Sequence, residues 1–163
     1  MAWMQLAPET PVWERKPEQG VVSHRSAAVL YGLGHLPADR HEFITAARRQ
    51  SRRSDVRIRK AQLQDDEWAK LHGLFVTTPA RTAADLLADR EEPTSVAQII
   101  ADALRREHDQ PEHFAASLAP RAAQLGLRRG DGVAALAYLL NLVGDPQAPE
   151  WLQQAVSHIN ESP

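Results

Sequence analysis

The spacing of apolar residues along this chain changes near residue 78. Before that point they fall in short runs or alternate with polar side chains, as strands do; beyond it they recur at three- and four-residue intervals, as helices do. Gly20-Val21-Val22 reads as a short buried strand. Ser23 is then placed to cap a helix that carries Ala27, Leu30 and Tyr31 on one face and ends in a left-handed turn at Gly32 or Gly34. His41 to Thr45 is strand-like, and Val56-Arg57-Ile58-Arg59 alternates apolar and basic residues, the mark of a strand wet on one face. Gly73 to Thr77 is a further strand, followed by the best-marked helix start in the chain. There Thr78 supplies a hydroxyl for a free N–H one turn in, and Pro79 stands where a missing N–H goes unnoticed. Four more helical stretches follow, marked by Val96 to Ala103, by Phe114, Leu118 and Ala122 with a break at Pro120, by Val133 to Val143, and by Leu152 to Ile159. The pattern predicts an α+β fold, with a small β-sheet in the N-terminal half packed by helices and an all-helical C-terminal half. Three segments are expected: an extended lead-in over 1–19, with a helical turn or two at Ala2 to Ala7 ahead of the prolines; an α+β core over 20–107; and a helical extension over 108–163 packed on that core.

Composition adds mostly exclusions. The chain has 163 residues, 43% hydrophobic and 25% charged, which are ordinary values for one compact unit. It has no cysteine, so disulfides, thiolate metal sites and a cysteine nucleophile are absent. The first twenty residues carry Glu9, Glu14, Arg15 and Lys16 where a signal peptide would be apolar, and no later run approaches the ~18 apolar residues of a spanning helix. A cytoplasmic protein without membrane contact is the expectation. The net charge of −2 conceals an asymmetry: residues 40–60 hold eight basic and two acidic side chains, whereas residues 61–120 hold five and eleven. The basic island comprises Arg48, Arg49, Arg52 and Arg53 in a loop between two strands, with Arg57, Arg59 and Lys60 on the strand that follows. Such a cluster suits several phosphates or an acidic protein surface. Phe43 is the one aromatic residue in this stretch, so stacking of unpaired bases lacks a platform and any nucleic acid would be held by its backbone.

Catalytic and metal motifs are missing. The seven histidines include no HExxH and no helical i, i+4 pair, so no metal site is expected. Ser23-His24-Arg25-Ser26 lacks a nucleophile elbow, and Gly32-Leu33-Gly34 follows a helix where a dinucleotide fingerprint would precede one. Asp65-Asp66-Glu67 and Glu91-Glu92 read as solvated turns, and Arg81 and Asp85, four apart, as a surface pair. Neither a catalytic residue nor a cofactor is predicted.

Three blocks nevertheless form a recognisable succession: Gly20-Val-Val-Ser-His-Arg-Ser-Ala-Ala-Val-Leu-Tyr-Gly-Leu-Gly34, the Arg-Arg-Gln-Ser-Arg-Arg run at 48–53, and Gly73-Leu-Phe-Val-Thr-Thr-Pro-Ala-Arg-Thr-Ala-Ala-Asp-Leu-Leu87. Together they resemble, over roughly residues 20–105, the C-terminal domain of AbiEi-family antitoxins from bacterial abortive-infection modules. The resemblance implies a non-enzymatic antitoxin, acting in phage defence on a cognate nucleotidyltransferase-like toxin. It also implies that Ser23, His24, Ser26, Thr77, Thr78, Pro79, Arg81 and Asp85 are structural residues of the family's motifs. Typical members carry an N-terminal winged helix that binds the operon's promoter. This chain starts at the Trp-containing lead-in, so either the sequence is a piece of a longer protein or this member lacks that DNA reader, and promoter binding through a winged helix is not expected of these residues. A nucleic-acid-binding transcriptional regulator, using the basic strand-loop-strand at 40–60, is the alternative. The first and third blocks are also similar to sequences preceding some Vsr-like nuclease domains, but no nuclease carboxylate-lysine motif follows them.

Overall fold

The computed structural model describes residues 16–162; the expected helical turn at Ala2 to Ala7 and most of the lead-in lie outside them. Five strands form one mixed sheet: β1 (Val21–Val22), β2 (His41–Thr45), β3 (Val56–Lys60), β4 (Trp68–Leu71) and β5 (Leu74–Thr77), in the order β3-β2-β1-β5-β4. Six α-helices follow the predicted positions: α1 (His24–Tyr31) between β1 and β2, then α2 (Pro79–Ala88), α3 (Pro93–Arg105), α4 (Pro111–Leu118), α5 (Gly132–Val143) and α6 (Ala148–Glu161). The fold is α+β, with the sheet in the N-terminal half and only helices after residue 78.

β1 is two residues long and central. It pairs antiparallel with β2, Val22 opposite Phe43, and parallel with β5, Val22 opposite Val76. β2 and β3 run parallel, His41 opposite Val56 and Thr45 opposite Lys60, so the basic loop is a return crossing the length of the strands and not a hairpin. The sequence pattern did not mark β4. It forms a hairpin with β5 through His72 and Gly73, both left-handed at φ 51° and 77°. That geometry suits the twist of paired strands and falls mainly to glycine or asparagine.

Two apolar clusters hold the chain together. The larger joins α2 to α6 and the end of α1, with Leu86, Ile99, Ile100, Phe114, Leu118, Leu136 and Leu140 fully buried. The smaller, between sheet and α1, contains Val21, Val22, Ala27, Phe43, Phe75 and Val76. The break expected at Pro120 occurs: α4 tightens into a 3-10 segment over Ala119–Leu125 and ends at left-handed Gly126. α4 and α5 cross so closely that a Cβ built on Gly132 would lie 1.8 Å from the carbonyl oxygen of Ala115, which restricts that position to glycine.

Candidate functional site

The first and third sequence blocks and the basic strand converge where β1 hands the chain to α1. His24, the first residue of α1, is left-handed at φ 54°, an unfavourable conformation for a residue with a side chain. The turn places its imidazole inside, 3% exposed, with Nδ1 2.7 Å from the Ser23 hydroxyl and Nε2 3.8 Å from Asp89. Burial, reinforced by the guanidiniums of Arg59, Arg57 and Arg81, lowers its pKa from 6.5 to about 3. Asp89 does not reverse this, because Arg59 already engages that carboxylate. His24 is therefore neutral at neutral pH.

Ser23 corrects the sequence reading. It occupies the position before α1, but its hydroxyl faces His24 and caps nothing. The N–H of Arg25 donates instead to Glu42 Oε2 at 3.0 Å, from the neighbouring strand. A carboxylate at a helix start meets both the free N–H groups and the positive end of the helix dipole. Glu42 also accepts from Arg59 at 3.1 Å and is only 7% exposed. Ser26 fastens the same joint, its hydroxyl donating to the Arg40 carbonyl at 2.9 Å and accepting the Glu42 N–H at 3.0 Å.

Arg57 and Arg59 share a strand face but not an environment. Arg57 is exposed, whereas Arg59 is half-buried between Glu42 and Asp89 and so belongs to the structure's internal ion pairs. Arg25 pairs with Glu91 at 2.6 Å. Together these groups surround an open polar cleft of about 360 Å³, with Arg25, Arg40 and Arg57 facing Glu42, Asp89 and Glu91. Glu42 and Asp89 carried no signal in the sequence, because they stand far along the chain from the arginines they meet, and Glu91, read there as part of a solvated turn, is instead half-buried against Arg25.

The third block continues this seam along α2. Thr78 behaves as expected: Pro79 opens the helix and the Thr78 hydroxyl accepts the Arg81 N–H at 3.3 Å. The Ala80 N–H goes to Asp109, at 2.9 Å. Thr77 meets the Thr82 hydroxyl at 2.7 Å, and that hydroxyl reaches the Thr78 carbonyl at 2.8 Å, tying β5 to α2. Arg81 binds Asp85 at 2.9 Å and Glu67 at 3.0 Å. The expected surface pair is thus mostly buried, and Glu67 is an ion-pair partner at the edge of the turn read as solvated. Burial raises the Asp85 pKa to about 6 against the pull of Arg81, and its Oδ2 has no hydrogen-bond partner.

The rest of the island lies on the β2–β3 return and, for Lys60, at the end of β3. Arg48, Arg49, Arg52, Arg53 and Lys60 are exposed, with Arg53 folded back on Asp55 at 2.8 Å. Arg48, Arg52, Arg57 and Lys60 have no ion-pair partner among the described residues. No helix among these residues is long and apolar enough to cross a membrane. Exposed cations thus lie beside a joint whose own charges are paired with one another. The sequence matches, over residues 20–142, the family described as AbiEi antitoxin C-terminal domain. No curated protein and no solved structure matches the chain.

Proposed function

Because the chain belongs to the AbiEi antitoxin C-terminal domain family, and so has an antitoxin role in a toxin–antitoxin module, we propose that it neutralises a nucleotidyltransferase-type toxin without doing chemistry of its own. The observation that carries this reading is the extent of the family match, which takes in the charged joint and, among the described residues, four of the six helices complete. In this reading the partner-free Arg48, Arg52, Arg57 and Lys60 steer an acidic toxin surface into place, as exposed charges speed association more than they tighten it. Ser23, His24, Ser26, Thr77, Thr78, Pro79, Arg81 and Asp85 hold the joint that presents them. The setting is the bacterial cytoplasm and the physiological role phage defence.

The same unpaired cations favour a second reading, binding of nucleic acid by its phosphates. One experiment separates the two. A nucleotidyltransferase found in the neighbouring coding sequence is expressed with and without the protein, and growth is followed; in parallel the protein is titrated with operator DNA at about 150 mM salt, where contacts to a few phosphates are already weak. Growth rescue without tight DNA binding is expected. Sequence-selective DNA binding with no rescue would replace the first reading by the second.

A further inference from the structure

Between β2 and β3, residues 46–55 belong to no helix or strand, and an unbroken run from Ala47 to Ser54 is exposed. The run reads Ala-Arg-Arg-Gln-Ser-Arg-Arg-Ser. Its arginines supply charge; Ser51 supplies a hydroxyl flanked by them on both sides. That hydroxyl accepts the Arg53 N–H at 3.1 Å, and its own proton goes to no acceptor among the described residues.

Two features distinguish Ser51 as the acceptor of a phosphoryl group. It is the only serine or threonine in the sequence with arginine both two and three residues before it, Arg49 and Arg48. Protein kinases that select such pairs read them with carboxylates in the peptide groove, each guanidinium docking through charge-assisted hydrogen bonds. The groove takes a peptide extended, and this return can enter it without opening the sheet, because β2 and β3 are held by their own pairing from His41 and Val56 to Thr45 and Lys60. The second feature is the local field. No carboxylate stands within three residues of Ser51 on either side, whereas Ser54 is followed at once by Asp55, which repels a dianion.

We propose that Ser51 is a phosphorylation site for an arginine-directed serine kinase and that its phosphate switches the basic island off. In the step, the γ-phosphoryl group of ATP passes to Ser51 Oγ: the bond from Pγ to the ADP oxygen breaks, a P–Oγ bond forms, and the hydroxyl proton goes to the kinase's catalytic carboxylate. The product carries nearly two negative charges at neutral pH and three strong acceptor oxygens. Set among Arg48, Arg49, Arg52 and Arg53, it draws guanidiniums onto itself and lowers the surplus of six positive charges over residues 40–60 to about four. Arg48 and Arg52, without ion-pair partners among the described residues, are then paired inside the chain as Arg59 already is. The switch acts on whatever the island attracts, an acidic protein or a phosphate backbone, so it does not depend on which of those readings holds.

The test incubates the full chain with magnesium, ATP and the catalytic subunit of cyclic-AMP-dependent kinase, an enzyme that reads paired arginines, beside Ser51→Ala and Ser54→Ala. Both variants change exposed side chains and should fold, which circular dichroism verifies. Peptide mass spectrometry should find one phosphate, on Ser51, absent from Ser51→Ala and kept in Ser54→Ala. On immobilised heparin, used as a polyanion probe, the phosphorylated chain should elute at lower salt than the unmodified one, by about as much as Arg48→Gln with Arg52→Gln lowers it. The chain isolated from its native cells should yield the same phosphopeptide. Phosphate only on other residues, or a native chain with Ser51 unmodified in growing and starved cells alike, would overturn the site. Phosphorylation of Ser51 with unmoved heparin elution would overturn the switch.

Discussion

β1 and β5 lie side by side, run parallel, and each passes the chain directly into a helix, but the two turns are built on different principles. At β5 the next few residues supply much of the closure: Thr78 accepts from the third helical residue and Pro79 fixes the entry angle, with Asp109 as the remote contribution. At β1 the local residues do the opposite. His24 takes a strained conformation, Ser23 turns toward it, and the helix N–H is satisfied by Glu42 from another strand, which is itself held by Arg59 from a third. The first kind of turn follows from local sequence and depends little on conditions. The second exists only when three segments have met, and its strength varies with protonation.

The largest expected expression of this difference is in acid. The unfolded chain holds His24 at its ordinary pKa of 6.5 and the folded one at about 3, so the unfolded state binds more protons and stability falls as pH drops between those values. Asp85, whose pKa is raised to about 6, contributes with the opposite sign between pH 6 and pH 4, so the loss due to His24 is read by comparison with a variant that lacks it. His24→Asn suits the left-handed backbone and has no proton to gain, so denaturant midpoints followed from pH 7 to pH 4 should decline less steeply than those of the wild type. Parallel decline would mean that His24 does not sit buried and neutral.

Next in size is Glu42→Gln, which keeps an acceptor for the Arg25 N–H but leaves Arg59 with a single carboxylate. A loss of about 3 kcal/mol at pH 7 is expected from breaking a buried ion pair. If the loss is no greater than that for removing an ordinary helix cap, the remote carboxylate is not what holds this turn. The smallest effect belongs to the other turn: Thr78→Val deletes the acceptor, keeps the shape, and should lower stability by about 1 kcal/mol with an unchanged denaturant slope. An unmoved midpoint would show that proline and Asp109 suffice.

The same contrast explains what the sequence made legible. The start of α2, the period change near residue 78 and the apolar faces of the later helices are local patterns, and the structure places them as read. β4 was hidden because Trp68-Ala69-Lys70-Leu71 contains no β-branched residue and turns through His-Gly instead of Asn-Gly. The parallel pairing of β2 with β3 leaves no mark in either strand. At the candidate site the arginines were visible as a cluster, but the partners that separate Arg59 from Arg57 were not. Glu42 is 17 residues from Arg59, and Asp89 is 30 residues from it. Only the folded chain shows which cations are spent internally and which remain free.

The central place of the two-residue β1 has a consequence for how the chain is made. Its neighbours are Phe43 and Ile44 on one side and Val76 on the other, so the sheet stays open at its middle until residue 77 has emerged from the ribosome. Pairings between distant residues are the slow steps of folding, whereas helices that pack on their neighbours in sequence form early. A nascent chain therefore passes through a stage in which β1 can pair with β2 but still shows its other edge to foreign strands. Closing that window early favours rapid synthesis through α2, whose docking on β5 completes the protection of β1.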